Sequence, residues 1–106
     1  MNYYGLTGTM TAKQGMRDEL TEILLQAAKL LQSNSGCIQY IISHVNDNPD
    51  SVWVSEVWID KAAHDASLEP QEIRDLVMSA LPLLAKSPKQ GNELKVLGGK
   101  GLNTNL

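Results

Sequence analysis

Apolar residues change their period along the chain, and each change marks the boundary of an element. Asn2 to Thr11, rich in Tyr and Thr, predicts a strand, with Gly5 and Gly8 marking a bend or a close approach to the backbone. After Gly15 the period lengthens: Met16, Leu20, Ile23, Leu24, Ala27 and Leu31 recur at helical spacing, with Arg17, Asp18, Glu22 and Lys29 off the stripe. Ser33-Asn34-Ser35-Gly36 should end this helix, Gly36 taking the left-handed conformation. Cys37 to Val45 and Val52 to Ile59 are β-branched runs with apolar residues on both parities, separated by the turn signal Asn46-Asp47-Asn48-Pro49-Asp50. They predict an antiparallel hairpin covered on both faces. Asp60 to Leu68 reads as a short helical turn capped by Asp60. Pro70 suits the first turn of a second helix with Ile73, Leu76, Val77, Ala80, Leu81 and Leu84 on one stripe, which Pro82 should kink or end. Glu93 to Leu97 is a short last strand, and Gly98-Gly99-Lys100-Gly101 a flexible tail.

The order strand, helix, strand, strand, helix, strand is the split βαβ pattern of an α+β, ferredoxin-like fold with an antiparallel sheet. Two helices cover only one face of four strands. The parity of the hairpin leaves the other face apolar, which calls for a partner sheet and hence a homodimer.

Composition bounds the rest. The 106 residues suffice for one domain, taken as 1–106, and one core. A net charge of -3 and nine scattered Lys and Arg give no basic groove, so nucleic acid is not an expected partner. No apolar stretch approaches the length of a membrane span. Cys37 is the only cysteine and the first residues show no export signal, so a cytoplasmic location is expected.

Candidate chemistry concentrates around the third strand. Glu56 and Trp58 are two residues apart and share a face. The indole offers a wall for a planar molecule, and the carboxylate a proton acceptor or an anchor for a hydroxyl. His64 follows in the helical turn, and an imidazole accepts and returns protons near neutral pH. Each has a plainer reading: Trp58 as core, His64 as a half-exposed cap, and Glu56 paired with Lys95, Arg74 or a residue across the dimer. Tyr40 and His44 share one parity of the second strand and either line the same pocket or sit in core or interface; Trp53 faces the other way, toward the dimer. Cys37 reads as a buried structural thiol. Two His and one Cys make no metal pattern, and the glycine-rich tail precedes no helix, so neither a metal nor a nucleotide or flavin cofactor is expected.

Tyr4-Gly5-Leu6-Thr7-Gly8-Thr9, Gly36-Cys37, Val52 to Trp58, Ala63 to Leu68 and Gly98-Gly99-Lys100-Gly101, taken with the element order, resemble the antibiotic biosynthesis monooxygenases and their quinol monooxygenase-like relatives. The resemblance implies a dimeric α+β barrel with a pocket between each sheet and its helices. It also implies insertion of oxygen from O2 into an electron-rich aromatic, such as a quinol, without metal, flavin or haem. Many quinol-type members carry a His nine positions after the strand Trp, where this chain has Ser67; its His is at position 64. The haem-degrading branch carries a Trp there and a ligating His ten residues on, positions held here by Ser67 and Val77, and its first-strand Asn has no match in Leu6-Thr7-Gly8. Haem degradation is therefore disfavoured.

The expected function is a cofactor-independent monooxygenase for a small phenolic or hydroquinone-type aromatic. His64 and Glu56 would be catalytic, and Trp58, Tyr40 and His44 would bind substrate. The alternatives are a non-catalytic small-molecule-binding or stress-associated domain on the same barrel, or an isomerase of a small hydroxyketone.

Overall fold

In the computed structural model, which describes residues 2–87 and 91–102, the alternation of the sequence becomes a sheet with two distinct faces. The elements are β1 (Tyr3–Thr11), α1 (Arg17–Leu31), β2 (Cys37–His44), β3 (Ser51–Trp58), α2 (Lys61–Ala66), α3 (Gln71–Ala80), a 3-10 turn at Leu81–Leu83, and β4 (Asn92–Val96). The strands lie in the order β2-β3-β1-β4, with every neighbouring pair antiparallel. This is the expected ferredoxin-like α+β arrangement.

Register decides what each face carries, because directly opposed residues point the same way. Tyr4, Leu6, Gly8 and Met10 of β1 lie opposite Trp58, Glu56, Val54 and Val52 of β3. Tyr40, Ile42 and His44 of β2 lie opposite Glu56, Val54 and Val52. The helices cover this side. Leu20 and Leu24 of α1 and Ala80 of α3 pack with Val52 and Val54, closed at one end by Ala12 and Leu84. Leu20 and Val52 are fully buried, each worth about 1.5–3 kcal/mol of transfer free energy relative to exposure.

The other face differs from the sequence reading. It carries Thr7, Thr9, Thr11, Ser51 and Ser55 beside Trp53, Val57, Ile41, Leu94 and Val96, so it is apolar in part rather than throughout. The Thr and Ser residues of β1 and β3 all fall on this parity, and the irregularity between Cys37 and Gln39 resets the alternation of β2. The tail is not a loose end over its described part. From β4 at one edge it reaches β2 at the other, where the Gln39 side chain donates to the Gly101 carbonyl at 2.9 Å. Gly101, at φ 95°, takes a conformation open to glycine.

Of four local signals, two resolve differently from expectation and two more sharply. Gly36 does not take positive φ; α1 ends at Leu31 with Gln32 still right-handed. Gly36 is needed instead for close packing, since a Cβ there would lie 2.9 Å from Cβ of Ala63. Pro70 is the residue before α3 rather than part of its first turn, and Pro82 converts the end of α3 into the 3-10 turn. Asp60 caps α2 as expected, accepting from the Ala63 amide at 2.8 Å.

Candidate functional site

Between the sheet and helices α1 and α3 lies a cavity of about 140 Å³. The helical stripes supply its apolar wall through Ile23, Leu24, Ala27 and Leu31 of α1 and Ile73, Leu76, Val77 and Ala80 of α3. The sheet supplies Met10, Tyr40, Glu56 and Trp58, and the segment from α2 supplies His64, Ser67 and Leu68. Among the described residues, no Lys or Arg lines it.

Four of the five residues singled out in the sequence meet in this cavity. Trp58 is 1% exposed, and its Nε1 donates to Oε1 of Glu56 at 3.0 Å. His64 Nε2 stands 3.8 Å from the same oxygen, with the two side chains 15% and 13% exposed. The His64 ring meets the Trp58 indole edge-on at a centroid distance of 5.5 Å and an angle of 84°. The chain returns here because Asp60 starts α2 directly after β3, folding His64 back over the strand end. Glu56 therefore pairs with neither Lys95 nor Arg74; its neighbours are an indole N–H and an imidazole.

The expectation that His44 lines the cavity is not met. His44 is exposed at the far end of β2, where Nε2 lies 2.9 Å from the Thr21 hydroxyl of α1. It shares a face with Tyr40, but an offset of four positions along the strand is about 13 Å. Trp53 lies on the opposite face of the sheet, half-buried.

Electrostatics sharpen the site. Burial pushes the Glu56 carboxyl above its ordinary range, opposed by the Trp58 hydrogen bond and the neighbouring His64. Burial also raises Tyr40, with the Glu56 charge adding to it, so its phenol stays protonated. The half-buried Cys37 thiol is pushed up to about 11, first by burial and then by Glu56, which makes it a poor nucleophile at neutral pH. Asp65 lies in the other direction, held low by hydrogen bonds from His64 and Lys61.

Two participants were not singled out by sequence. Asp65 Oδ1 lies 2.9 Å from His64 Nδ1, and the Tyr4 ring stacks at a tilt against His64 with centroids 5.6 Å apart. Consecutive helical residues point in different directions on average, so His64-Asp65 carried no pairing signal. Tyr4 was legible only as one of two aromatics of opposite facing.

Among the described residues, no group of three or more His, Cys, Asp or Glu is placed to hold a metal ion. No helix among them is long and apolar enough to cross a membrane.

Comparison with known proteins agrees with this architecture. The family model for antibiotic biosynthesis monooxygenase matches residues 4–77. A crystal structure of a proposed antibiotic biosynthesis monooxygenase from Chloroflexus aurantiacus superposes with a TM-score of 0.85 at 35% identity, over 94% of this chain and 98% of that one. A Caulobacter crescentus protein given the same proposed assignment has a TM-score of 0.83 at 16% identity, over 92% of each chain. A conserved protein from Methanosarcina mazei has 0.82 at 17%, over 91% of this chain and 94% of that one; these last two share the fold. No curated protein matches. The extent of the family match and the close Chloroflexus relative lead to one conclusion: the chain belongs to the antibiotic biosynthesis monooxygenase family.

Proposed function

We propose that the protein is a monooxygenase that oxidises a small, single-ring phenol or hydroquinone with O2. The observation that carries this reading is the convergence of Glu56, His64 and the Trp58 indole on one otherwise apolar cavity. A volume of about 140 Å³ matches apolar cavities of ~150 Å³ that seat one benzene ring. Trp58 is the aromatic wall, with Tyr40 beside it. Glu56 anchors one hydroxyl, and Nε2 of His64 accepts the proton of another.

The chemistry follows from the substrate. Deprotonation raises the electron density of the ring until it can reduce O2 itself, so a base, a water-poor pocket and hydrogen bonds to the anionic oxygen are enough. A benzene-1,4-diol and O2 then give a hydroxybenzoquinone and water. One oxygen atom enters the ring, the other leaves as water, and the substrate supplies all four electrons. No cofactor is required by this balance.

The same reading includes a homodimer and a cytoplasmic setting. The open sheet face carries the half-buried Trp53 and the half-exposed Ile41 and Leu94, which supports a second copy as its cover.

The test is oxygen uptake with a panel of single-ring and fused-ring hydroquinones, with mass spectrometry after reaction under 18O2. The expected product from a single-ring substrate carries one labelled oxygen. Binding of a ring compound without oxygen uptake would favour a non-catalytic binding domain instead.

A further inference from the structure

His64 presents two nitrogens to two different carboxylates. Nε2 is directed toward Glu56 inside the cavity, at 3.8 Å, while Nδ1 lies 2.9 Å from Oδ1 of Asp65 at the exposed side of α2. The other oxygen of Asp65 is held by Lys61 Nζ at 3.2 Å. An ionised carboxylate accepts hydrogen bonds and donates none, so a bond between Nδ1 and Asp65 places the hydrogen on Nδ1. In the neutral ring, Nε2 is then left with its lone pair toward the cavity. That is the form a proton acceptor needs.

Resting on the proposed role of His64 as base, we infer that Asp65 is a positioning residue that fixes the His64 ring as the Nδ1–H tautomer with Nε2 free to take a proton from the ligand. The step itself is simple. The substrate O–H bond breaks, an Nε2–H bond forms, and the positive imidazolium is flanked by Asp65 outside and Glu56 inside. Asp65 keeps its charge throughout and touches no substrate. Its carboxylate resists protonation because His64 and Lys61 both hydrogen-bond to it.

Among the described residues, the surroundings of His64 contain no competing partner for Nδ1. From α2 come Lys61 and Asp65, with Lys61 engaged by Asp65. From β3 come Glu56 and Trp58, engaged with each other. From β1 comes Tyr4, whose hydroxyl donates to Glu93 of β4 at 2.8 Å rather than to the imidazole. Only Asp65 is within hydrogen-bond distance of Nδ1 among the described residues. Exposure does not make the contact idle: its expected effect is orientation, read on the ring itself, rather than fold stability.

The test uses the full chain labelled with 15N at histidine and followed by NMR above neutral pH, with His64→Ala identifying the resonances. Wild type should show the Nδ1–H tautomer. Asp65→Ala should return the ring to the Nε2–H form that histidine favours in water, and Lys61→Ala, which leaves the Asp65–His64 contact in place, should not. Where oxidation of a hydroquinone is measurable, Asp65→Ala should lower kcat about tenfold or more with KM little changed. A wild-type ring already in the Nε2–H form, or a tautomer unmoved by Asp65→Ala, overturns the inference. Absent oxygen uptake in wild type, with the tautomer switching as described, sinks the proposed reaction and leaves the role of Asp65 in orienting His64 standing.

Discussion

Trp58 Nε1 donates to Glu56 Oε1 at 3.0 Å, and the two residues leave the same face of β3. Each solves a problem the other has. The buried indole N–H needs an acceptor, and the buried carboxylate needs donors. The pair also aims the remaining carboxylate capacity at the cavity and His64.

Removing the N–H should expose this dependence. Trp58→Phe keeps a ring in the core but leaves Glu56 without its donor, with an expected loss of about 1–3 kcal/mol. Trp58→Ala should cost about 3–5 kcal/mol. Urea denaturation of both variants checks the ranking.

Glu56 gives stability a pH signature. Its folded-state carboxyl titrates above the ordinary value of 4.5, chiefly because of burial. Above 4.5 the unfolded chain loses this proton before the folded one does, so the folded state binds more protons. The Glu56 contribution to stability is therefore present below that pH and falls as pH rises through the folded value. Glu56→Gln should remove this falling segment and leave the protein at least as stable as wild type near neutrality. Parallel melting curves across pH measure the difference.

Gly36 tests how α2 is seated against the chain entering β2. Gly36→Ala forces two Cβ atoms to 2.9 Å and should destabilise by about 1–3 kcal/mol. Ala63→Gly in the same chain should recover part of that loss. A double-mutant cycle with no coupling would contradict the assigned contact.

The open sheet face makes its own prediction. If a second copy covers it, Trp53→Asp should convert a dimer to a monomer in multi-angle light scattering. A wild-type monomer at micromolar concentration contradicts the homodimer.

The sequence disclosed most of the fold because period is a local property. The stripes at Leu20, Leu24 and Leu31 and at Ile73 and Ala80 are buried where the spacing put them. The shared face of Glu56 and Trp58 followed from their separation of two. What local patterns do not contain is distance along a face and direction off a helix. Tyr40 and His44 have the same parity, yet only Tyr40 reaches the cavity. Asp65 carried no signal of its own, because nothing in the order His64-Asp65 tells which way either side chain turns. Gly36 after Ser33-Asn34-Ser35 has the local pattern of a helix stop; the atom it makes room for, Cβ of Ala63, lies 27 residues further on.

Oxygen uptake by His64→Ala against wild type shows whether His64 removes a proton from a ring hydroxyl in the cavity. Both proteins should have the same oligomeric state and nearly the same melting temperature. With a single-ring hydroquinone that wild type consumes, His64→Ala should be slower by on the order of 10²-fold. Equal rates in two equally folded proteins would remove His64 as the base.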